Sequence, residues 1–136
     1  MLDPVKSSAT AMERNCVFCA MPDRLKILTN RLAYAVYDTS PVTALHMLLL
    51  PRRHAASYFD LEAPERRAIE ELLSRARELV LSRDPSINGF NIGINVGEVA
   101  GQTIFHCHYH LIPRRRGDVS NPRGGVRAVI PDKAIY

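Results

Sequence analysis

Three of the chain's five histidines fall at positions 106, 108 and 110, inside the segment GQTIFHCHYHLIPRRRGD that spans residues 101–118. In an extended strand alternate residues share a face. A strand from Phe105 to Ile112 would therefore turn His106, His108 and His110 to one surface and Cys107, Tyr109 and Leu111 to the other. A lone histidine is most often a hydrogen-bonded bystander, but three titratable rings at a period of two are unfavourably crowded unless they bind something. Two ligands suit them: a metal ion, or a phosphate handled by nucleophilic and acid–base imidazoles. Gly97, Gly101, Gln102 and Thr103 precede the run, and a glycine-bearing loop with a hydroxyl can aim donors at an anion. Part of the cluster is therefore expected to face phosphate.

The rest of the chain supplies a frame for that strand. At 136 residues it is long enough for one hydrophobic core and too short for two, so residues 1–136 are read as a single domain. Residues 33–38 and 45–50 are β-compatible runs separated by the turn-prone Thr39-Ser40-Pro41, which predicts a hairpin. From Pro64 the apolar period changes to three and four, through Ile69, Leu72, Leu73, Ala76, Leu79 and Val80. That is one amphipathic helix, with Glu62 and Glu65 at its positive end and Asp84-Pro85 closing it. Phe90 to Val96 and Phe105 to Ile112, the latter bounded by Pro113, read as two further strands. The expected class is α+β, an antiparallel sheet under one main helix. Residues 1–14 and the tail from 117 to 136 are expected to be loose.

Composition narrows the function. A hydrophobic fraction of 46% and a charged fraction of 24% exclude a disordered or coiled-coil chain. A net charge of +4 suits anionic ligands without resembling a nucleic-acid-coating tail. Arg114, Arg115, Arg116, Arg123 and Arg127 lack interleaved aromatics for base stacking, so they read as a solvated basic rim or a dimer-contacting tail. The apolar run from Ala44 to Leu50 is too short to span a bilayer and contains His46, and no secretory signal is visible. A cytoplasmic protein with no membrane partner is expected. Three cysteines are too few for a disulfide scaffold. Cys16 and Cys19 form a C-x-x-C pair without a thioredoxin-like context, so metal leads over redox chemistry, and two thiolates need two further ligands, naturally histidines, to close a tetrahedral zinc site.

The His-x-His-x-His run followed by two apolar residues resembles the signature of the histidine-triad (HIT) nucleotide hydrolases and transferases. The resemblance takes in GQT ahead of it, as in the dinucleoside-polyphosphate hydrolase branch, and PRRRGD behind it, and PVTALHMLLLPRRHAASYFDL resembles the family's earlier strand-and-helix-start block. The resemblance implies a homodimer that acts on adenine nucleotides or other AMP conjugates. It makes His108 the nucleophile at the α-phosphorus and His110 a contact to the phosphate oxygens. Asn95, Gln102 and Thr103 become phosphate-side groups, and Asp38 the grip on the ribose, against the plainer reading of Asp38 as a turn cap. The resemblance also completes the zinc site with His54 and His106, leaving Cys107 buried. Phe18, Val36 and Thr39 stand where the family places its base pocket, although apolar residues there also suit plain core. Leu45 departs from the family's usual glycine before His46, and His46 itself has no assigned role beyond a hydrogen bond. The alternative class is a non-catalytic nucleotide-binding or zinc-stabilised interaction protein of the same fold.

Overall fold

The computed structural model describes residues 11–136. The element order is α1 (Ala11–Arg14), β1 (Leu28–Thr29), β2 (Ala33–Tyr37), β3 (Met47–Pro51), α2 (Ala63–Arg83), β4 (Ile87–Ile94) and β5 (Tyr109–Arg115), with short 3-10 turns between them. The strands form one antiparallel sheet in the order β1-β2-β3-β5-β4. The loose segment expected at residues 1–14 lies mostly outside the described residues.

The hairpin joins β2 to β3, with Val36 opposite Leu48 and Tyr34 opposite Leu50. Period-two alternation splits this pair between two cores. Ala33, Ala35, Met47 and Leu49 face α2, whose Ile69, Leu72, Ala76 and Val80 are all fully buried against the sheet. Each of the large side chains there contributes about 1.5–3 kcal/mol. The opposite face carries a second cluster in which Cys16 and Phe18, from the amino-terminal tongue, pack on Tyr34, Val36, Leu48 and Leu50. Phe18 and Val36 are thus buried in this cluster, whereas Thr39 is exposed.

Glu65 links the helix start to the functional segment. Buried in the first turn, it accepts from the Glu62 N–H at 2.9 Å and from Arg53 Nη2 and Nε at 2.7 and 3.0 Å. Arg53 precedes His54, so the PRRH segment is pinned to α2.

Two strand boundaries differ from expectation. β4 begins at Ile87, with a register shift before Gly89. β5 begins only at Tyr109 and continues through Pro113 to Arg115. Pro113 is tolerated because its carbonyl accepts from Thr43 Oγ1 on the side away from β4, so the missing N–H removes no bond from that ladder. Residues 104–108 do not join the sheet; His106 and Cys107 bond instead to the 51–56 segment. The Cys107 N–H donates to Ala55 O at 2.7 Å, and His106 Nε2 lies 2.8 Å from Pro51 O. The tail expected to be loose carries two 3-10 turns, Gly125–Val129 and Pro131–Lys133.

Candidate functional site

Because β5 starts late, the three triad histidines do not line one strand face as expected; each has its own surroundings. His106 is completely buried and turns toward the tongue. His108 sits between Phe18 and His110, with ring centroids 5.0 and 5.2 Å away. His110, on β5 and opposite both Leu48 and Gly93, faces the open side of the sheet. Cys107, Tyr109 and Leu111 point into the helix-side core as alternation demands, and burial pushes the Cys107 thiol up to about 12.

The hydrogen bonds fix the tautomers. The Val42 N–H donates to His46 Nδ1 at 3.0 Å, so the proton of neutral His46 sits on Nε2, which is 2.9 Å from His110 Nδ1. His46 Nε2–H therefore donates to His110, whose own proton must be on Nε2, directed into the site. His108 Nδ1 lies 2.7 Å from the carbonyl of His106 and can only donate to it. That leaves the His108 Nε2 lone pair free. Burial holds His46 below the usual histidine range despite Asp38 nearby. Burial, then the neighbouring His108 and His46, brings His110 down to about 4. The trio therefore offers one ring nitrogen without a partner, on His108, and one N–H donor, on His110. His46, only 2% exposed, is the functional residue that sequence reasoning left without a role. Its signal was a histidine inside an otherwise apolar strand-forming run.

The backbone stores strain beside it. Leu45 has φ 71°, a left-handed value unusual for a β-carbon-bearing residue. This geometry brings the His46 ring under His110, so the missing glycine left the loop shape to be imposed on leucine.

Asp38 does two things. Its Oδ1 accepts from the Ser40 N–H at 2.8 Å, the turn-capping role, and its Oδ2 lies 3.5 Å from His46 Nε2. Asp38, His46 and His110 bring three potential ligand atoms together, but His46 Nε2 carries a proton, so they form a hydrogen-bonded chain rather than a metal centre. Asp38, Asn95 and His110 line one cavity of about 770 Å³. Thr103 is exposed beside Cys16 and His54 in a separate depression. Gln102, expected among the phosphate-side donors, is turned inward. Its Nε2 donates to Ala56 O and Ile104 O at 2.6 and 3.1 Å, its Oε1 accepts from the Gly97 N–H at 2.9 Å, and its own N–H donates to Gly97 O. Gln102 therefore shapes the loop between Gly97 and Gly101, both at positive φ, and leaves phosphate contact to others.

Cys16, Cys19, His54 and His106 do come together, with one ligand atom from each lying within 4.8 Å of all the others. Cys19 Sγ is 3.2 Å from His54 Nδ1 and 3.5 Å from His106 Nδ1, and Cys16 Sγ is 3.4 Å from His106 Nδ1. A tetrahedral ion bound at about 2.3 Å to sulfur and about 2.05 Å to nitrogen sets S···N near 3.6 Å, so the set fits with small adjustment. The bond behind the ring agrees: His106 Nε2–H donates to Pro51 O, which keeps Nδ1 unprotonated for a ligand. His54 presents Nδ1 likewise, and its buried Nε2 has no partner among the described residues. Partial burial and the adjacent Cys16 hold the Cys19 thiol up at about 12; a bound cation reverses this by taking the thiolate.

The basic rim is mostly self-paired. Arg115 donates to Asp84 Oδ2 and Ala44 O, and Arg123 and Arg127 lie 4.9 and 4.6 Å over the Tyr136 ring.

An antiparallel α+β sheet that groups one imidazole with a free ring nitrogen and one with an N–H donor defines a class of small histidine-bearing domain. A family model described as the HIT domain matches residues 22–117, and the chain belongs to that family. It is 34% identical over 127 residues to an uncharacterised HIT-like protein of Mycobacterium tuberculosis, covering 87% of this chain and 85% of the relative. Over 121 residues it is 29% identical to an adenosine 5'-monophosphoramidase of Saccharomyces cerevisiae, covering 84% and 72%. Among solved structures, a zinc-bound histidine triad family protein from Mycobacterium smegmatis matches with TM-score 0.71 and 29% identity, covering 80% and 81%. A diadenosine triphosphate hydrolase of Plasmodium falciparum matches with TM-score 0.64 and 29% identity, covering 74% and 68%. The family thus includes nucleotide hydrolases. Among the described residues no helix is long and apolar enough to cross a membrane.

Proposed function

We propose that the protein cleaves at the α-phosphate of dinucleoside polyphosphates or other AMP conjugates in two steps. His108 Nε2 attacks phosphorus and displaces the leaving group, giving a nucleotidyl-histidine; water or another acceptor then releases the nucleoside monophosphate. The observation that carries this reading is the 2.7 Å contact from His108 Nδ1 to the His106 carbonyl, which leaves Nε2 as the nitrogen available to attack. His110 Nε2–H and Asn95 serve the phosphate oxygens, since phosphoryl transfer depends chiefly on positioned donors. Asp38 holds the ribose. The activities named for the yeast and Plasmodium relatives support the substrate class.

Zinc is proposed for Cys16, Cys19, His54 and His106. With four protein ligands it has no open position and acts structurally, clamping the tongue and the His54 segment to the residue whose carbonyl orients His108. A cytoplasmic homodimer is proposed as well. β4 is an edge strand, and its Ile92, which pairs with Leu111 and shares the helix-side face, is half exposed where α2 packs chiefly on β2 and β3 instead. Light scattering at micromolar concentration should give about twice the chain mass, and a monomer throughout the range would reject the dimer.

Quenching the wild type in alkali with an adenylated substrate should trap AMP on a peptide containing residues 101–113. His108→Ala should abolish the adduct, whereas His110→Ala should leave a route slowed by about 10²–10³. No adduct with equal losses in both variants would contradict the assignment and favour a non-catalytic nucleotide binder.

A further inference from the structure

Leu45 stands at φ 71°, and nothing in a leucine favours that value. A return to negative φ would rotate the peptide that carries His46 and swing its ring away from His110 Nδ1, 2.9 Å distant. Ordinary strand pairing does not prevent this. β3 and β5 pair as far as Met47 opposite Leu111, and the next bonded step would set Leu45 against Pro113. Proline has no N–H, so the ladder stops there. On the other side the Asp38 N–H still donates to His46 O at 2.9 Å, which secures the loop toward β2 and leaves it without backbone partners toward β5.

Two side-chain bonds replace the missing ladder. Thr43 Oγ1 donates to Pro113 O at 2.6 Å, and Arg115 Nη2 donates to Ala44 O at 3.0 Å. The Ala44 carbonyl belongs to the peptide whose rotation against Leu45 is measured by φ, so the guanidinium grips the strained bond itself. Arg115 is in turn fixed: its Nε donates at 2.9 Å to Asp84 Oδ2, at the end of α2, and Asp84 Oδ1 accepts from the Ser86 N–H and hydroxyl at 2.9 and 2.6 Å. Its neighbour Arg114 lines the cavity with His110 and is taken up by Asp118 and Asn91. One residue on, alternation turns Arg115 to the helix side of the sheet, away from where a nucleotide would lie.

We propose that Arg115 is a positioning residue for the reaction: by bridging Asp84 to the Ala44 carbonyl it holds Leu45 left-handed and thereby keeps His46 Nε2–H on His110 Nδ1. The inference rests on the nucleotidyl-transfer reading above. While that bond is made, the His110 proton stays on Nε2 and faces the phosphate oxygens. Once it is lost, the ring takes either tautomer, and the donor is present only part of the time. The bridge needs the planar fork, whose separate N–H groups reach acceptors on two segments; a compact lysine ammonium does not reproduce it. Leucine makes the clamp necessary, because glycine adopts the same φ at no steric cost.

The test uses the full chain with the variants Arg115→Gln, Arg115→Lys, and Arg115→Gln combined with Leu45→Gly. Arg115→Lys keeps the stem and the charge, which guards the comparison against unfolding. With an AMP phosphoramidate, kcat should fall roughly tenfold in both single variants while KM changes little, because donation in the transition state is what suffers. Long-range proton–nitrogen correlation spectra of histidine-labelled protein at pH 7.5 should show His110 as the Nε2–H tautomer in the wild type and as a mixture in Arg115→Gln. Adding Leu45→Gly should return both kcat and tautomer most of the way, since glycine keeps the loop in place without the clamp; a mere loss of packing would not be repaired by a smaller side chain. Wild-type kcat in Arg115→Lys, an unchanged His110 tautomer in both single variants, or no recovery with glycine would each overturn the inference. Should the wild type cleave no conjugate, the hydrolase reading falls and the spectra still decide whether Arg115 sets the His110 proton.

Discussion

Leu45 offers a measurement whose sign runs against ordinary expectation. Replacing glycine by alanine at an unstrained position stabilises a chain by about 0.4–1 kcal/mol, because alanine has less freedom to lose on folding. At φ 71° the order should invert. A residue with a β-carbon in the left-handed region costs about 1–2 kcal/mol, and the position is held there from both sides. The Asp38 N–H donates to His46 O at 2.9 Å and the His46 N–H donates to Thr43 O at 3.2 Å. Leu45 is half-buried against the helix-side core, so Leu45→Ala keeps the strain and loses about 1 kcal/mol of packing. Leu45→Gly loses the same packing, is released from the strain and gives back the entropy term, ending about 0.5–1 kcal/mol more stable than Leu45→Ala. Urea unfolding of the two variants under identical metal conditions measures the difference directly. An alanine variant as stable as the glycine variant, or more so, would refute the claim that strain is stored beside His46.

Cys16→Ser should lose bound zinc by elemental analysis and lower the melting temperature, since a closed site contributes folding free energy; a metal-free wild type of equal stability would contradict this. Gly93→Val should leave stability within about 0.5 kcal/mol, because the added carbons meet open space on a strand, while turnover of any nucleotide falls sharply; full activity would show that ligand does not pass beside His110. Acid should weaken the fold through His110. Its folded pKa of about 4 lies below the free value of 6.5, so as the pH falls the unfolded chain takes up the proton first. The contribution is complete above about pH 6.5 and is lost on the way down to pH 4, and solvent screening leaves about 1–2 kcal/mol of the full effect. Between pH 7.5 and 5, denaturant titrations should show wild type losing more stability than His110→Asn, and equal losses would refute the shift.

The sequence determined the elements whose signal is local. The 3.6-residue period from Ile69 to Val80 gave a helix with one buried face, and the two apolar runs around Thr39-Ser40-Pro41 gave antiparallel partners, because side-chain direction follows directly from backbone period. Histidines at period two and the paired cysteines announced a site, and resemblance extended that to the family. Other features needed the folded chain. The triad leaves the sheet before Tyr109 because residues 106 and 107 find bonding partners at Pro51 and Ala55, more than fifty residues away in sequence. Gln102 turned inward because two carbonyls and an N–H converge on it from separate segments. The proton positions that make His108 a nucleophile and His110 a donor depend on a carbonyl and on a buried ring 64 residues distant. A hydrogen bond of that kind depends on where two remote atoms meet and leaves no periodic trace in the residues that make it.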